Sequence, residues 1–91
     1  MSTSVVDNPE EHRYEIHVDD ELAGFVEYRG ESPVDFFHTE VFDAYEGQGL
    51  ASILVSQALD DARSKGAKVK ATCPYVKGYI EKHPTYQDLL A

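Results

Sequence analysis

The hexapeptide Glu46-Gly47-Gln48-Gly49-Leu50-Ala51 holds the residue types best suited to bind an anion. It follows an apolar, strand-like run over 36–42 and opens an amphipathic segment with helical spacing. The first N–H groups of a helix have no intrahelical acceptor, and the helix dipole adds partial positive charge there. Glycines let phosphate oxygens approach the backbone closely, because no Cβ stands in the way. The sequence therefore predicts a ligand that carries a phosphate or pyrophosphate.

Two other glycine-rich phosphate loops do not fit this turn. A P-loop requires Lys followed by Ser or Thr after its last glycine, whereas Leu50 follows Gly49 here. A dinucleotide-binding turn requires a third glycine, where Ser52 stands, and an acid at the end of the next strand, which here ends in Cys73-Pro74. No histidine has a spacing with Cys73 that suggests zinc, and we expect no metal.

The elements that must position this turn follow from hydrophobic periodicity. Residues 12–29 alternate as a β-hairpin, and Val34–Phe42 reads as a third strand, apolar on both faces and expected in the sheet centre. Residues 49–65 have helical spacing and end before Gly66, a suitable C-cap. A short strand over 68–73 and a helix over 75–83 follow. The order β-β-β-α-β-α predicts an α/β (α+β) fold, a mixed sheet of a hairpin plus a βαβ unit with a C-terminal helix.

Length and composition favour one small globular domain. We expect a flexible leader over 1–10 and a single domain over 11–91. There is neither a signal-peptide pattern nor an apolar run of membrane-spanning length, so a cytoplasmic protein with no membrane partner is expected. The net charge of −9 disfavours nucleic acid as a partner.

The charge is unevenly distributed along the chain. Residues 1–62 hold fifteen acids and two bases, whereas residues 63–82 hold six bases and one acid. A polyanionic ligand would be attracted to that second segment. The alternative is that Arg63 and Lys65 only complement a helix C-terminus while the lysines keep the surface solvated.

The stretch Val41–Ala51 resembles motif A of the GCN5-related N-acetyltransferases, in which a strand ending in valine leads into (Arg/Gln)-x-x-Gly-x-(Gly/Ala). Gly49 and Ala51 match the small-residue positions, and Glu46 departs from the pattern at the Arg/Gln position. The resemblance implies that the turn binds the pyrophosphate of acetyl-CoA. The residues that it assigns to this role are Gly47, Gln48, Gly49, Leu50 and Ala51.

Three further motifs resemble a subgroup of very short members of this family: His38-Thr39-Glu40-Val41, Cys73-Pro74-Tyr75-Val76 and His83-Pro84-Thr85-Tyr86. The likeness spans roughly 12–90. It implies an acetyl-CoA-dependent N-acetyltransferase that acts by direct attack of an amine in a ternary complex. This subgroup lacks the helices and strands with which larger members build the acceptor site, so the amine stays unidentified.

The resemblance also implies where the thioester lies. In the family the third and fourth of these strands splay apart, and the pantetheine arm passes between them. This implies that Thr39, Glu40 and Val41 lie beside the arm, with Cys73 and Pro74 across from it.

Four side chains are candidates for the chemistry that acetyl transfer needs, which is deprotonation of the amine and protonation of the leaving thiolate. The resemblance favours Glu40 as general base. His38 lies two residues earlier and so shares its strand face, and an imidazole can serve as a general base, so His38 is the alternative base. The resemblance also implies a tyrosine as the acid in the helix after the fourth strand, where Tyr79 is the candidate and Tyr75 is the competing choice. Cys73 is either a nucleophile or a small buried side chain that touches the cofactor. Each of these residues also has a purely structural interpretation.

Two other functions remain open at this point. The chain could be a module that binds or senses CoA or acyl-CoA without turnover, which Glu46 and the missing acceptor-site elements favour. It could also be an interaction domain for a protein partner, in which the glycine turn is structural.

Overall fold

The computed structural model describes residues 2–91. Its sheet strands are β1 (Thr3–Asn8), β2 (Arg13–Val18), β3 (Glu21–Arg29), β4 (Val34–Val41) and β5 (Val69–Ala71), and its helices are α1 (Leu50–Ser64) and α2 (Pro74–Lys82). Short 3-10 helices cover Pro9–Glu11, Asp43–Tyr45 and Pro84–Leu89. The spatial order of the sheet is β1-β2-β3-β4-β5; β1 to β4 are antiparallel, and β5 runs parallel to β4. The α/β fold with a mixed sheet is therefore confirmed.

The segment expected as a flexible leader forms strand β1 instead. Residues 3–8 pair with β2 along its whole length, from Thr3 opposite Val18 to Asn8 opposite Arg13. Val5 packs against the core, and the Asp7 carboxylate accepts a hydrogen bond from Tyr28. The expectation was wrong because β1 is ordered by its pairing with β2. Its own sequence gives little sign of this, since only one of its apolar side chains, the partly buried Val5, packs against the core. Met1 lies outside the described residues.

The hairpin and the βαβ unit form as predicted. Asp19 and Asp20 connect β2 to β3 with φ of 50° and 71°, which is the backbone of a two-residue hairpin turn. At the C-terminus of α1, Gly66 has φ of 71°, and the N–H groups of Gly66 and Ala67 donate to Arg63 and Ala62 as in a Schellman motif. The third predicted strand, β4, is not central, since β3 takes that position and β4 lies between β3 and the short β5.

Both helices cover one face of the sheet. Leu54, Leu59 and Ile80 belong to the same buried cluster as the strand residues Ile16 and Phe36. The opposite, open face carries polar and aromatic side chains that pack on each other; Arg13, for example, lies 4.7 Å above the Phe25 ring. No helix among residues 2–91 is long and apolar enough to cross a membrane.

Candidate functional site

The glycine turn has the backbone that an anion site requires. Gly47 has φ of 79°, and Gly49, the N-cap of α1, has φ of 72°, a region that L-residues with a side chain rarely occupy. A Cβ built on either glycine would meet no atom within 4 Å. The glycines are therefore needed for backbone conformation, and the space above them is open to a ligand.

Within residues 2–91, no side chain caps the N-terminus of α1. Gly49 offers no side chain to the first turn, and this turn contains no acidic residue. The buried Leu50 anchors the helix to the core, whereas Gln48 is exposed and Ala51 half-buried. The N–H groups of the first turn are consequently left for solvent or for an anion, which fits the phosphate groups of CoA.

A β-bulge in β4 determines which of its side chains lie on the helix-covered face of the sheet and which lie on the open face. Tyr28 pairs with Phe36 and Glu27 pairs with His38, so Phe37 is an extra residue on β4. Before the bulge, Phe36 faces the helices and packs against Tyr14 and Tyr28. Beyond the bulge, Thr39 and Val41 face the helices, while His38 and Glu40 face the open side.

The bulge also leaves backbone groups of β4 free of the sheet. Pairing with β5 ends at Phe36 opposite Ala71, followed by a bond of 2.9 Å from the Cys73 N–H to the Phe36 carbonyl. The Phe42 N–H donates to Ala23 of β3, so by alternation the N–H and C=O groups of Thr39 and Val41 point away from β3. We call the space between Thr39–Val41 and the start of α2 the β4–α2 gap.

Thr39 and Cys73 meet at the narrow end of the β4–α2 gap. The Thr39 Oγ1 lies 3.3 Å from the Cys73 Sγ. Cys73 is 5% exposed and is the N-cap of α2, and Pro74 follows as the first residue of that helix. The structure thus brings together the cofactor-contact candidates Thr39, Cys73 and Pro74, and Val41 lies on the same strand face as Thr39.

The two candidate bases lie on the other face of β4. The His38 Nε2 is 3.3 Å from the Glu40 Oε1, and each side chain is 49% exposed. The Phe25 ring packs 6.1 Å from the imidazole. A proton transfer to His38 or Glu40 would therefore take place on the open face, whereas Cys73 lies on the helix side of the sheet.

Tyr79 lies on α2 with its ring held by residues that follow it. It stacks on the His83 imidazole at 4.0 Å between centroids, and the His83 Nδ1 donates to the Tyr79 carbonyl at 2.8 Å. Because side chains on a helix point toward its N-terminus, we expect the Tyr79 hydroxyl to lie toward the first turn of α2. Tyr75 lies in that turn, and burial together with the neighbouring Tyr79 raises its pKa.

Two of the six bases of the basic segment, Arg63 and Lys65, form ion pairs at the far end of α1. Arg63 binds Asp88 through two nitrogens at 2.9 and 3.0 Å, and the Lys65 ammonium lies 2.9 Å from Asp61 and 3.1 Å from Asp7. α1 has 15 residues, which places these cations about 20 Å from the glycine turn. For Arg63 and Lys65 the structural interpretation therefore holds, and the α2 lysines are nearer to the candidate site.

Sequence reasoning missed a buried carboxylate that supports the β4–α2 gap. The Asp35 side chain accepts hydrogen bonds from Thr72 at 2.7 Å and from Arg29 at 3.0 Å, and so joins β3, β4 and the end of β5 just before the strands separate. Burial raises the pKa of Asp35, but the Thr72 and Arg29 hydrogen bonds outweigh it and hold the pKa below its ordinary value. The signal available in the sequence was an acid inside an apolar run.

Among residues 2–91 no group of three or more His, Cys, Asp or Glu side chains is arranged to hold a metal ion.

Comparison with known proteins agrees with this geometry. The family model for GCN5-related N-acetyl-transferase matches residues 13–89. Protein NATD1 of Gallus gallus and of Homo sapiens are each 43% identical over 63 residues, which is 69% of this chain and 57% and 56% of those proteins. The chain thus spans little more than half the length of these curated relatives.

Solved structures show the same fold. The solution structure of a candidate GCN5-like N-acetyltransferase from Staphylococcus aureus superimposes with a TM-score of 0.72 at 25% identity, over 97% of this chain and 87% of that one. The crystal structure of ribosomal-protein-alanine N-acetyltransferase from Brucella melitensis biovar Abortus 2308 gives 0.60 at 22% identity, over 87% and 63%. With the family model covering most of the chain, this protein belongs to the GCN5-related N-acetyltransferase family.

Proposed function

We propose that this protein is an acetyl-CoA-dependent N-acetyltransferase that transfers the acetyl group directly to an amine. The observation that carries the proposal is the presence of two sets of backbone groups that residues 2–91 leave unpaired: the N-terminus of α1, and the N–H and C=O groups of Thr39 and Val41 that point away from β3. The first suits the pyrophosphate, and the second suits the amide groups of the pantetheine arm. The thioester would then lie in the β4–α2 gap.

The proposed chemistry uses both faces of the sheet. An amine on the open face would lose its proton to Glu40, directly or through His38 or water, and its nitrogen would attack the thioester carbon. The new C–N bond forms as the C–S bond breaks, and the leaving thiolate takes a proton from the Tyr79 hydroxyl on the helix side. Cys73 contacts the arm without forming an acyl intermediate.

Binding is tested by calorimetric titration of acetyl-CoA into wild type, Gly49→Glu and Gly66→Glu. The two glycines are matched, because both have φ near 70° and open space around the absent Cβ, but they lie at opposite ends of α1. We expect Gly49→Glu to abolish binding by placing a carboxylate at the anion site, and Gly66→Glu to leave affinity unchanged once its folded fraction is measured. Equal affinities of the two variants would refute the assignment of the turn.

A second function is supported by a specific observation. His38 and Glu40 pair with each other on a face that nothing in residues 2–91 covers, which suits a CoA- or acyl-CoA-binding module without turnover. Thiol release from acetyl-CoA in the presence of a panel of primary amines and peptides with free N-termini separates the two. Turnover that falls about 10²- to 10⁴-fold in Glu40→Gln, with cofactor affinity unchanged, supports the enzyme. Cofactor binding without thiol release for any acceptor supports the module.

A further inference from the structure

We infer that β1 is a self-association surface at which a second copy of this chain adds its own β1, giving a continuous antiparallel sheet across a two-fold axis. The inference concerns a surface remote from the β4–α2 gap and does not depend on the proposed function.

The two edges of the sheet differ in how they are covered. The β5 edge is occupied by the C-terminal residues, because Leu90 forms a bridge with Val69 and the Ala91 N–H donates to the Val69 carbonyl at 2.9 Å. Within residues 2–91 nothing pairs with the outer side of β1.

The backbone groups on that outer side can be identified. The Asp19 N–H donates to the Ser2 carbonyl at 2.8 Å, so the even-numbered residues of β1 bond to β2. By alternation, the N–H and C=O groups of Thr3, Val5 and Asp7 point outward from the sheet. Such a row of unpaired groups is a template for another strand.

The sequence of β1 lacks the usual protection of an edge strand. Residues 3–6 carry no charge and contain Thr and two Val, and Pro9 comes only after the strand has ended. Val6 is 47% exposed, the largest exposed fraction among the large hydrophobic residues of the described chain. These features favour pairing over solvation.

An antiparallel register centred on Val5 keeps the acidic side chains of two paired β1 strands apart. Centring the pair on Val5 sets Val5 against Val5 of the second copy and Thr3 against its Asp7, while Val6 falls beside its Ser4. The two Asp7 residues are then four positions apart, about 14 Å at about 3.4 Å per residue, which exceeds the Debye length of about 10 Å at 0.1 M salt. A register that sets Asp7 against itself is disfavoured. The surface therefore fits an isologous dimer.

The interface is small, so a weak dimer is expected. Pairing of one strand buries less surface than a stable dimer needs, and each chain carries a net charge of −9. Because that repulsion is screened by salt, association should strengthen as ionic strength rises.

Sedimentation equilibrium of the full chain from micromolar to millimolar concentration tests the inference, with Thr3→Asp and Thr3→Lys as charge-reversed variants. Each dimer sets position 3 opposite Asp7 twice, and the Asp7 carboxylate is partly neutralised by Lys65 of its own chain, so we expect Thr3→Asp to weaken and Thr3→Lys to tighten association by about 2- to 5-fold. Gln57→Asp and Gln57→Lys, on the exposed side of α1, carry the same charge changes and serve as controls. Thermal melting of each variant verifies that the monomer still folds.

Amide hydrogen exchange locates the interface independently. The N–H groups of Thr3, Val5 and Asp7 should gain protection on going from dilute to concentrated wild-type protein, while those of Ser4 and Val6 are protected at both concentrations. A chain that stays monomeric throughout the range overturns the inference. The inference is also overturned if the Gln57 variants change the dimer affinity as much as the Thr3 variants do. It is overturned as well if a dimer forms but these three amides gain no protection.

Discussion

Substitution of Gly24 by alanine should destabilise the protein, because the backbone of β4 lies very close to this position of β3. A Cβ at this position would lie 2.5 Å from the Glu40 carbonyl oxygen, 3.0 Å from the Val41 Cα and 3.2 Å from the Val41 Cγ2. Two of these atoms belong to the backbone, so the end of β4 must move. Overpacking of this kind costs about 1–3 kcal/mol.

Gly78→Ala is the matched control, because the chemical change is the same but the added methyl group enters open space instead of a crowded position. Gly78 lies inside α2, and a Cβ there would meet no atom within 4 Å. Replacing a helical glycine by alanine stabilises by about 0.5–1 kcal/mol. For a domain of this size, 1 kcal/mol shifts Tm by about 4–8 °C, so we expect Gly24→Ala to lower Tm by about 5–20 °C and Gly78→Ala to raise it by about 2–8 °C.

Thermal melts followed by circular dichroism measure both variants, and acetyl-CoA titration of folded Gly24→Ala then reports on the site. Because the displaced atoms belong to Glu40 and Val41, cofactor affinity should fall at temperatures where the variant is fully folded. A Gly24→Ala protein as stable as wild type would show that β3 and β4 do not approach as described, and the position of the Val41 backbone beside the β4–α2 gap would lose its support.

Three further predictions concern single residues. Stability conferred by Asp35, whose folded-state pKa lies below its ordinary value, is present at neutral pH and is lost progressively as pH falls below about 4 through that lowered pKa; urea melts should therefore show Asp35→Asn costing about 1–3 kcal/mol at pH 7 and less at pH 3. Cys73→Ala should keep thiol release in the amine assay within about tenfold of wild type, because the proposed direct transfer forms no acyl-cysteine, whereas loss of all turnover with intact cofactor binding would indicate one. Burial and the hydrogen bond to Asp7 raise the pKa of Tyr28 to about 12, so Tyr28→Phe should remove one late-titrating phenol from an ultraviolet titration and leave the earlier transitions in place.

Much of the fold could be predicted because local signals and tertiary packing agree. The Gly47 and Gly49 turn, the helix that follows it and its end at Gly66 all carry residues whose backbone preferences match the structure. Strand β1 could not be predicted, because its order comes from pairing with β2 and from one side chain that reaches the core.

The sequence indicated which residues belong to the candidate site, but not which face of the sheet each of them lies on. Phe36 and Phe37 are both apolar, so nothing in the sequence marks Phe37 as the extra residue that reverses the faces of the strand. The separation of His38 and Glu40 from Cys73 followed only from the pairing register. The ion pairs of Arg63 and Lys65 were equally hidden, because their partners Asp88 and Asp7 are distant in sequence.

The bulge at Phe37 divides β4 into two lengths that should tolerate mutation differently. Upstream, Val34 and Phe36 are buried in a part of β4 that pairs with β3 on one side and β5 on the other, so substitutions there should register as lost stability. Downstream, Thr39 and Val41 have backbone groups with no strand on one side, so changes there should register first in ligand affinity. A deep mutational scan that scores protein abundance and cofactor binding separately should therefore show mainly lost abundance before Phe37 and mainly lost cofactor binding after it.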